Sequence, residues 1–172
     1  NKDLVGEEPA RSWHDFSNPQ LGGKIRIPDR ERTISKVIAG AMKMNFPDSY
    51  EQFMANCTFK GSPIDVVNAV DEGEYHYGMV NIAFSRFSRL KNTGIIWINQ
   101  GAFCMPQVVA IGKGKYDMVG GIVEYIFSEP IQNYMALQGF IPSVSGKVPA
   151  ILEHEDLKLI WKGWESFLES VG

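Results

Sequence analysis

The stretch Gly23-Lys24-Ile25-Arg26-Ile27-Pro28-Asp29-Arg30-Glu31-Arg32-Thr33 decides the fold. Within it, Ile25 and Ile27 alternate with charged residues, which is the two-residue period of a short strand. The Pro-Asp pair ends that strand, and a helix follows the turn. The helix is predicted because apolar residues recur at helical spacing, namely at Ile34, Val37, Ile38, Ala41 and Met42.

The rest of the chain repeats this alternation of short strands and helices. Residues 1–23 form a connecting segment, which we expect Trp13 and Phe16 to pin to a core. Further strands are predicted at 58–61, 75–81, 95–98 and 107–111, and further helices from Ser62, over 82–90, over 119–127, from Ser128 to Gln138 and along 157–171. Short strands alternating with helices predict an α/β fold with a mostly parallel sheet flanked by helices.

Composition and charge narrow the class of protein. The 172 residues are 44% hydrophobic and 22% charged, which is ordinary for a globular protein with room for one domain or two small lobes. The formal net charge of −3 gives no electrostatic reason to expect nucleic acid or an anionic membrane as partner. The longest apolar runs, such as Val108 to Ile111, are too short to cross a bilayer.

The first residue and the cysteines leave alternatives open. The chain starts at Asn1 without a basic and apolar leader, so either a signal was removed or the sequence begins inside a larger gene product. Cys57 and Cys104 form no Cys-x-x-Cys motif, which argues against a cysteine zinc site. A disulfide between them in an oxidising compartment and two buried free thiols both fit the sequence.

No pattern in the sequence predicts catalysis. The chain lacks a Gly-x-Ser-x-Gly elbow, a Walker loop and a Gly-x-Gly-x-x-Gly turn. The histidines at 14, 76 and 154 lie far apart, and the acidic clusters at 7–8 and 153–156 read as solvated segments. We therefore expect no enzyme activity, no cofactor and no metal site.

One segment has a physical argument for binding. Asp29 to Thr33 lies between a strand end and a helix N-terminus, where free backbone N–H groups attract anions and Arg30 or Arg32 adds charge. In open α/β sheets such turns line the ligand crevice. The competing interpretation, that both arginines simply face solvent, has equal weight on the residues alone.

Several motifs together resemble one protein family. They occur in the family's order, as Ser12-Trp13-His14-Asp15-Phe16, Gly23-Lys24-Ile25-Arg26-Ile27-Pro28-Asp29, Glu72-Gly73-Glu74-Tyr75, Gly78-Met79-Val80-Asn81, Val108-Val109-Ala110-Ile111, Ser128-Glu129-Pro130-Ile131-Gln132 and Gly139-Phe140-Ile141-Pro142. This set resembles the iron, polyamine and thiamine branch of the periplasmic solute-binding proteins that feed ABC transporters.

The resemblance implies a type II periplasmic-binding-protein-like fold, in which two lobes close on a ligand like a clamp. Residues 12–103 would be the second lobe and 104–172 the returning, incomplete part of the first. The function implied is non-catalytic capture of a small polar or anionic solute, or a metal complex, for an ABC permease, in a periplasmic or extracellular location. The ligand contacts we expect follow the predicted strand ends, at Arg30, Arg32, Thr33, Asn81, Phe84, Ser85, Trp97 and Gln100.

Three further expectations qualify this assignment. Ferric-binding members carry adjacent tyrosines where this chain has Ala83 and Phe84, so we expect no tyrosine iron site. The alternative function is a cytosolic ligand-sensing domain of a transcription regulator with the same two lobes. The apolar stripes at 119–127 and 157–171 need a partner surface, which predicts self-association as a homodimer. The alternative is that the returning helices fold back on the second lobe and bury both stripes within one chain.

Overall fold

Strand β1 (Ile25–Ile27) lies at the centre of the main sheet. In the computed structural model, which describes residues 1–142 and 158–171, β1 pairs in parallel with β2 (Cys57–Phe59) and with β3 (Tyr77–Gly78). Ile25 stands in register with Cys57 on one side and with Tyr77 on the other. The parallel pairing predicted from the sequence is confirmed.

The chain divides into two compact units. The first comprises Asn1–Met105 together with Lys158–Gly172, and the second comprises Pro106–Leu157. The sequence predicted one boundary near residue 103, so the return of the C-terminal segment to the first unit is a feature that the prediction lacked. The assignment of these segments to the lobes of a clamp stays a prediction.

One face of the main sheet carries the principal core. Ile25 and Ile27 are fully buried and pack with α2 (Thr33–Asn45) and α3 (Pro47–Asn56). The N-terminal segment covers the same core after a short helix, α1 (Lys2–Val5), through the 3₁₀ turns Trp13–Ser17 and Pro19–Leu21. Trp13 and Phe16 are both buried in this core, so their predicted anchoring role is confirmed.

The opposite face of the sheet is covered by α4 (Pro63–Asp71). The sequence predicted a helix from Ser62, and in the structure Ser62 caps α4 in a capping box with Asp65 while Pro63 occupies the first turn. The helix approaches β3 so closely that a Cβ on Gly78 would lie 2.8 Å from Val66 Cγ1. Helices on both faces make the first unit a three-layer α/β/α arrangement.

A second, two-stranded sheet completes the first unit. β4 (Ala102–Phe103) pairs in parallel with β5 (Leu159–Ile160), and the Phe103 ring stacks on Trp13 with centroids 4.2 Å apart. Helix α7 (Trp164–Val171) follows β5 and packs against α2. Within the described residues, no helix has both the length and the apolarity to cross a membrane.

The second unit contains two helices in its described part. These are α5 (Tyr116–Ile126) and α6 (Glu129–Leu137), and Gln132 Nε2 of α6 donates to the carbonyl of Ile126 at 2.9 Å. Gly139, in the left-handed region at φ 89°, follows α6 directly after the predicted helix end at Gln138. One face of α5 remains exposed, with Met118, Ile122 and Tyr125 at 76%, 61% and 63% exposure.

Five predicted elements differ from the structure. The strands predicted at 95–98 and 107–111 do not form, because a strand needs a hydrogen-bonded neighbour and the described residues offer them none. The strand at 75–81 shortens to Tyr77–Gly78, and the helix at 82–90 is the 3₁₀ helix Ile82–Phe87. The last helix begins only at Trp164, because Ile160 joins β5 and Gly163 turns the chain at φ 93°; Leu157 of the predicted stripe lies outside the described residues.

The close contact between α4 and β3 predicts that a methyl group added at position 78 destabilises the protein. Gly78→Ala places its Cβ within 2.9 Å of both Val66 and Val70, so we expect it to lower the free energy of unfolding by about 1–3 kcal/mol. Gly94→Ala is the control, since its Cβ meets Lys2 at an ordinary 3.7 Å. Urea unfolding followed by circular dichroism measures both, and equal stabilities would contradict the tight contact.

Candidate functional site

The C-terminal ends of the three parallel strands meet at one edge of the main sheet, which we call the C-terminal edge (residues 28–33, 60–65 and 79–81). Hydrogen bonds join its first two turns. Lys60 N donates to the Ile27 carbonyl at 3.0 Å, Asp29 N to the Gly61 carbonyl at 3.0 Å, and Gly61 N to Asp29 Oδ1 at 2.7 Å. Met79 N joins the third segment to β1 by donating to the Arg26 carbonyl at 3.0 Å.

The N-terminus of α2 opens at this edge without a side-chain cap. Arg32 occupies the N-cap position in an extended conformation, and its side chain makes no capping hydrogen bond. The nearby Ser35 hydroxyl does not cap the helix either, because it donates to the carbonyl of Pro28 at 2.8 Å. The first N–H groups of α2 therefore present a partial positive charge to the C-terminal edge.

The neighbouring α4 starts at the same edge but is closed. Asp65 N donates to Ser62 Oγ at 3.2 Å, and Ser62 N donates to Asp65 Oδ2 at 2.7 Å. These hydrogen bonds from Ser62 hold the pKa of the Asp65 carboxyl below its usual value, and the charges of Arg26 and Arg32 lower it further. Of the two helix N-termini at this edge, only that of α2 lacks a side-chain partner.

The predicted arginines frame the open terminus. Arg30 and Arg32 are exposed, and the Arg30 guanidinium lies 4.0 Å from the centroid of the Phe59 ring at the end of β2. Stacking on an aromatic face restrains an otherwise flexible cation. Thr33 is the first residue of α2 and is exposed, so its hydroxyl belongs to the same surface.

The third predicted group follows β3. Asn81 precedes the 3₁₀ helix Ile82–Phe87, and its carbonyl accepts from Phe84 N at 2.9 Å. Asn81, Phe84 and Ser85 are all half-buried. Because Asn81 lies three residues beyond the last residue of β3, the topology brings it to the same edge as Arg30, Arg32 and Thr33.

The structure does not bring Gln100 to this edge. Its Oε1 accepts from Trp13 N at 3.2 Å, and the Trp13 ring lies 6.5 Å from that of Phe46, at the C-terminal end of α2. Since α2 has 13 residues, that end is about 20 Å from Thr33. Trp97 is half-buried in the irregular segment before Gln100. Solute contacts from these two residues stay a prediction.

Sequence reasoning overlooked the turn at residues 60–62, which lies beside the predicted arginines. The available signal was the Lys-Gly-Ser-Pro sequence directly after β2, since neighbouring parallel strands end at a common edge. Gly61 is required there because its φ is 80° and a Cβ would lie 2.9 Å from Asp65 Oδ2. The turn supplies backbone polar groups and the exposed Lys60.

The described cavity, the acidic and histidine side chains and the two cysteines give less support for a binding site than the C-terminal edge does. A small cavity of about 40 Å³ between α2, β4, β5 and α7 is lined by none of the predicted site residues. Among residues 1–142 and 158–171, no three His, Cys, Asp or Glu side chains cluster as metal ligands. Cys57 and Cys104 are free thiols, and burial raises the pKa of Cys57 to about 12.

Comparison with known proteins identifies the family. The profile of the family described as bacterial extracellular solute-binding proteins matches residues 1–170, so the chain belongs to this family. A solved structure described as a two-component system protein that mediates signal transduction shares the fold, with a TM-score of 0.66 over 92% of this chain at 20% identity. This chain covers 55% of that one, about half its length. Curated protein sequences give no significant match.

Because α2 has no side-chain cap, a better N-cap residue should stabilise the protein. Arg32→Ser places a good N-cap residue in a suitable extended conformation, so we expect the free energy of unfolding to rise by about 0.5–2 kcal/mol. Ser62→Ala, which removes the cap of α4, should lower it by a similar amount. Urea unfolding compares the two variants, and a loss of stability in Arg32→Ser would contradict an uncapped α2.

Proposed function

We propose that the chain is the solute-binding component of an ABC-type uptake system and captures a small polar or anionic solute at the C-terminal edge. The observation that carries this proposal is the uncapped N-terminus of α2 beside Arg30 and Arg32. Membership of a family of extracellular solute-binding proteins supports the transport role. An ABC permease is then the protein partner, and the periplasm or the cell exterior is the location.

The chemistry of the edge favours an anion. Backbone N–H groups at a helix N-terminus bind anions through hydrogen bonds and through the helix dipole. A guanidinium adds two parallel donors that match a carboxylate or a phosphate. The Thr33 hydroxyl and the Asn81 amide lie on the same edge and add neutral donors, which lets the site accept polar groups of a solute as well.

The proposed architecture follows from the division of the chain. We propose that the first unit, Asn1–Met105 with Lys158–Gly172, corresponds to one lobe of a clamp and supplies one wall of the solute site. The resemblance to the iron, polyamine and thiamine branch supports this choice. Ala83 and Phe84 lie in the 3₁₀ helix where ferric-binding members have tyrosines, which argues against iron coordination by a tyrosine pair.

The alternative function is ligand sensing by a domain of a transcription regulator. Family membership favours the transport receptor, because the matched family is one of extracellular solute-binding proteins. The gene sequence upstream of Asn1 discriminates between the two. A leader peptide or a lipoprotein cysteine there supports transport, whereas a helix-turn-helix segment supports regulation.

Anion binding is tested with inorganic phosphate by isothermal titration calorimetry. We expect the unmodified chain to bind phosphate, and Arg30→Gln combined with Arg32→Gln to weaken binding at least about tenfold, because hydrogen bonds to charged groups contribute about 1.5–3 kcal/mol. Arg11→Gln is the control, because Arg11 is also exposed but lies away from the C-terminal edge. It stands two residues before Trp13, whose ring is close to Phe46 at the C-terminal end of α2. An equal loss of phosphate affinity in the double variant and in Arg11→Gln would contradict a site at the C-terminal edge.

Self-association stays a prediction, and we propose the exposed face of α5 as the dimer interface. Met118, Ile122 and Tyr125 recur at helical spacing and expose apolar area that monomers usually cover. We expect sedimentation at micromolar concentration to show a dimer, and Ile122→Glu to dissociate it. A 19.3 kDa monomer for the unmodified chain would refute this prediction.

A further inference from the structure

Asp71, the last residue of α4, places a carboxylate inside the first unit. Its residue is 2% exposed, yet its oxygens accept from Ser88 Oγ at 2.7 Å, Leu90 N at 2.7 Å and Asn92 N at 2.9 Å. Burial by itself raises the pKa of Asp71, but these hydrogen bonds outweigh it and hold the pKa below its usual value. The group is therefore a charged, fully bonded anchor at neutral pH.

All three donors come from one irregular segment, residues 88–92, which we call the anchored loop. The anchored loop forms no helix or strand of its own, so its N–H groups depend on acceptors elsewhere in the protein. Lys91 adopts a left-handed conformation at φ 57°, which is unfavourable for a side chain other than glycine unless its surroundings hold it. Helix α1 supports the loop from outside, because Lys2 N donates to the Asn92 carbonyl at 2.8 Å.

The anchored loop directly continues the 3₁₀ helix that carries two predicted site residues, Phe84 and Ser85. Ser88 N donates to the Ser85 carbonyl at 3.2 Å, which joins the loop to the helix. At the other end, the Met79 N bond to Arg26 ties the segment to β1. A 3₁₀ helix has poor hydrogen-bond geometry and little stability alone, so its position depends on these two attachments and on its packing against α4.

We propose that Asp71 is a positioning residue of the solute site, which holds the anchored loop and thereby sets where Asn81, Phe84 and Ser85 stand at the C-terminal edge. The inference rests on the proposed function. Asp71 ends the nine-residue α4, which starts at the C-terminal edge, so it lies about 14 Å from that edge. It therefore acts through the chain and does not touch the solute.

The test combines hydrogen exchange of residues 82–92 with phosphate titration by calorimetry. Asp71→Asn keeps the shape of the side chain but turns one acceptor into a donor, so we expect the Leu90 and Asn92 amides to exchange at least about tenfold faster. Phosphate binding should weaken by a similar factor. Ser88→Ala should show a smaller change in the same direction, and Ser88→Thr, which keeps the hydroxyl, should restore both readouts.

Asp48→Asn is the matched control, because Asp48 is an exposed acid in the first turn of α3. Unchanged exchange in Asp71→Asn would overturn the anchoring role, and faster exchange with unchanged phosphate affinity would overturn the positioning role. If the unmodified chain binds no phosphate, the proposed anion site fails. The exchange rates of the Asp71 and Ser88 variants then still decide whether Asp71 holds the loop.

Discussion

The parallel pairing of β1 with both β2 and β3 is the constraint on which the first unit depends. Parallel neighbours cannot be joined by a tight turn, so the chain must cross the sheet between them. It does so with α2 and α3 on one face and with α4 on the other. Because all three strands end at one edge, the crossings also begin there. The same constraint therefore produces the layers, buries Ile25 and Ile27, and collects the turns that carry the polar groups.

The elements that the sequence predicted well are those whose signals are local. The alternation around Ile25 and Ile27 identifies β1, and Ser62, Pro63 and Asp65 identify the start of α4 within a few residues. Such signals work because the hydrogen bonds they form, as in the capping box, join residues close in sequence. The turn with Arg30 and Arg32 was identified for the same reason, since a strand end directly precedes a helix start.

What the sequence left undetermined depends on distant partners. Residues 95–98 have the apolar composition of a strand, but no described strand lies beside them. Ile160 follows a helical period with Trp164, yet it joins a strand with Leu159 that pairs with residues 102–103, more than fifty positions earlier in the chain. Asp71 shows the same limit for the site, because nothing near it in sequence indicates that Ser88, Leu90 and Asn92 will supply its hydrogen bonds.

The anion site proposed at the C-terminal edge lies in a chain with a net charge of −3. The edge contains acids as well as arginines, and two of the acids form hydrogen bonds within the edge, whereas Glu31 is exposed and lies 3.9 Å from Lys36. Asp29 accepts from the backbone of Gly61, and Asp65 accepts from the backbone of Ser62. A carboxylate bonded to backbone N–H groups holds turns in place and has its charge partly compensated. Arg30 and Arg32 place two positive charges beside a helix terminus of the same sign, although Arg32 also interacts with the Asp65 carboxylate. The proposed site therefore depends on this local arrangement of groups and not on the net charge of the chain.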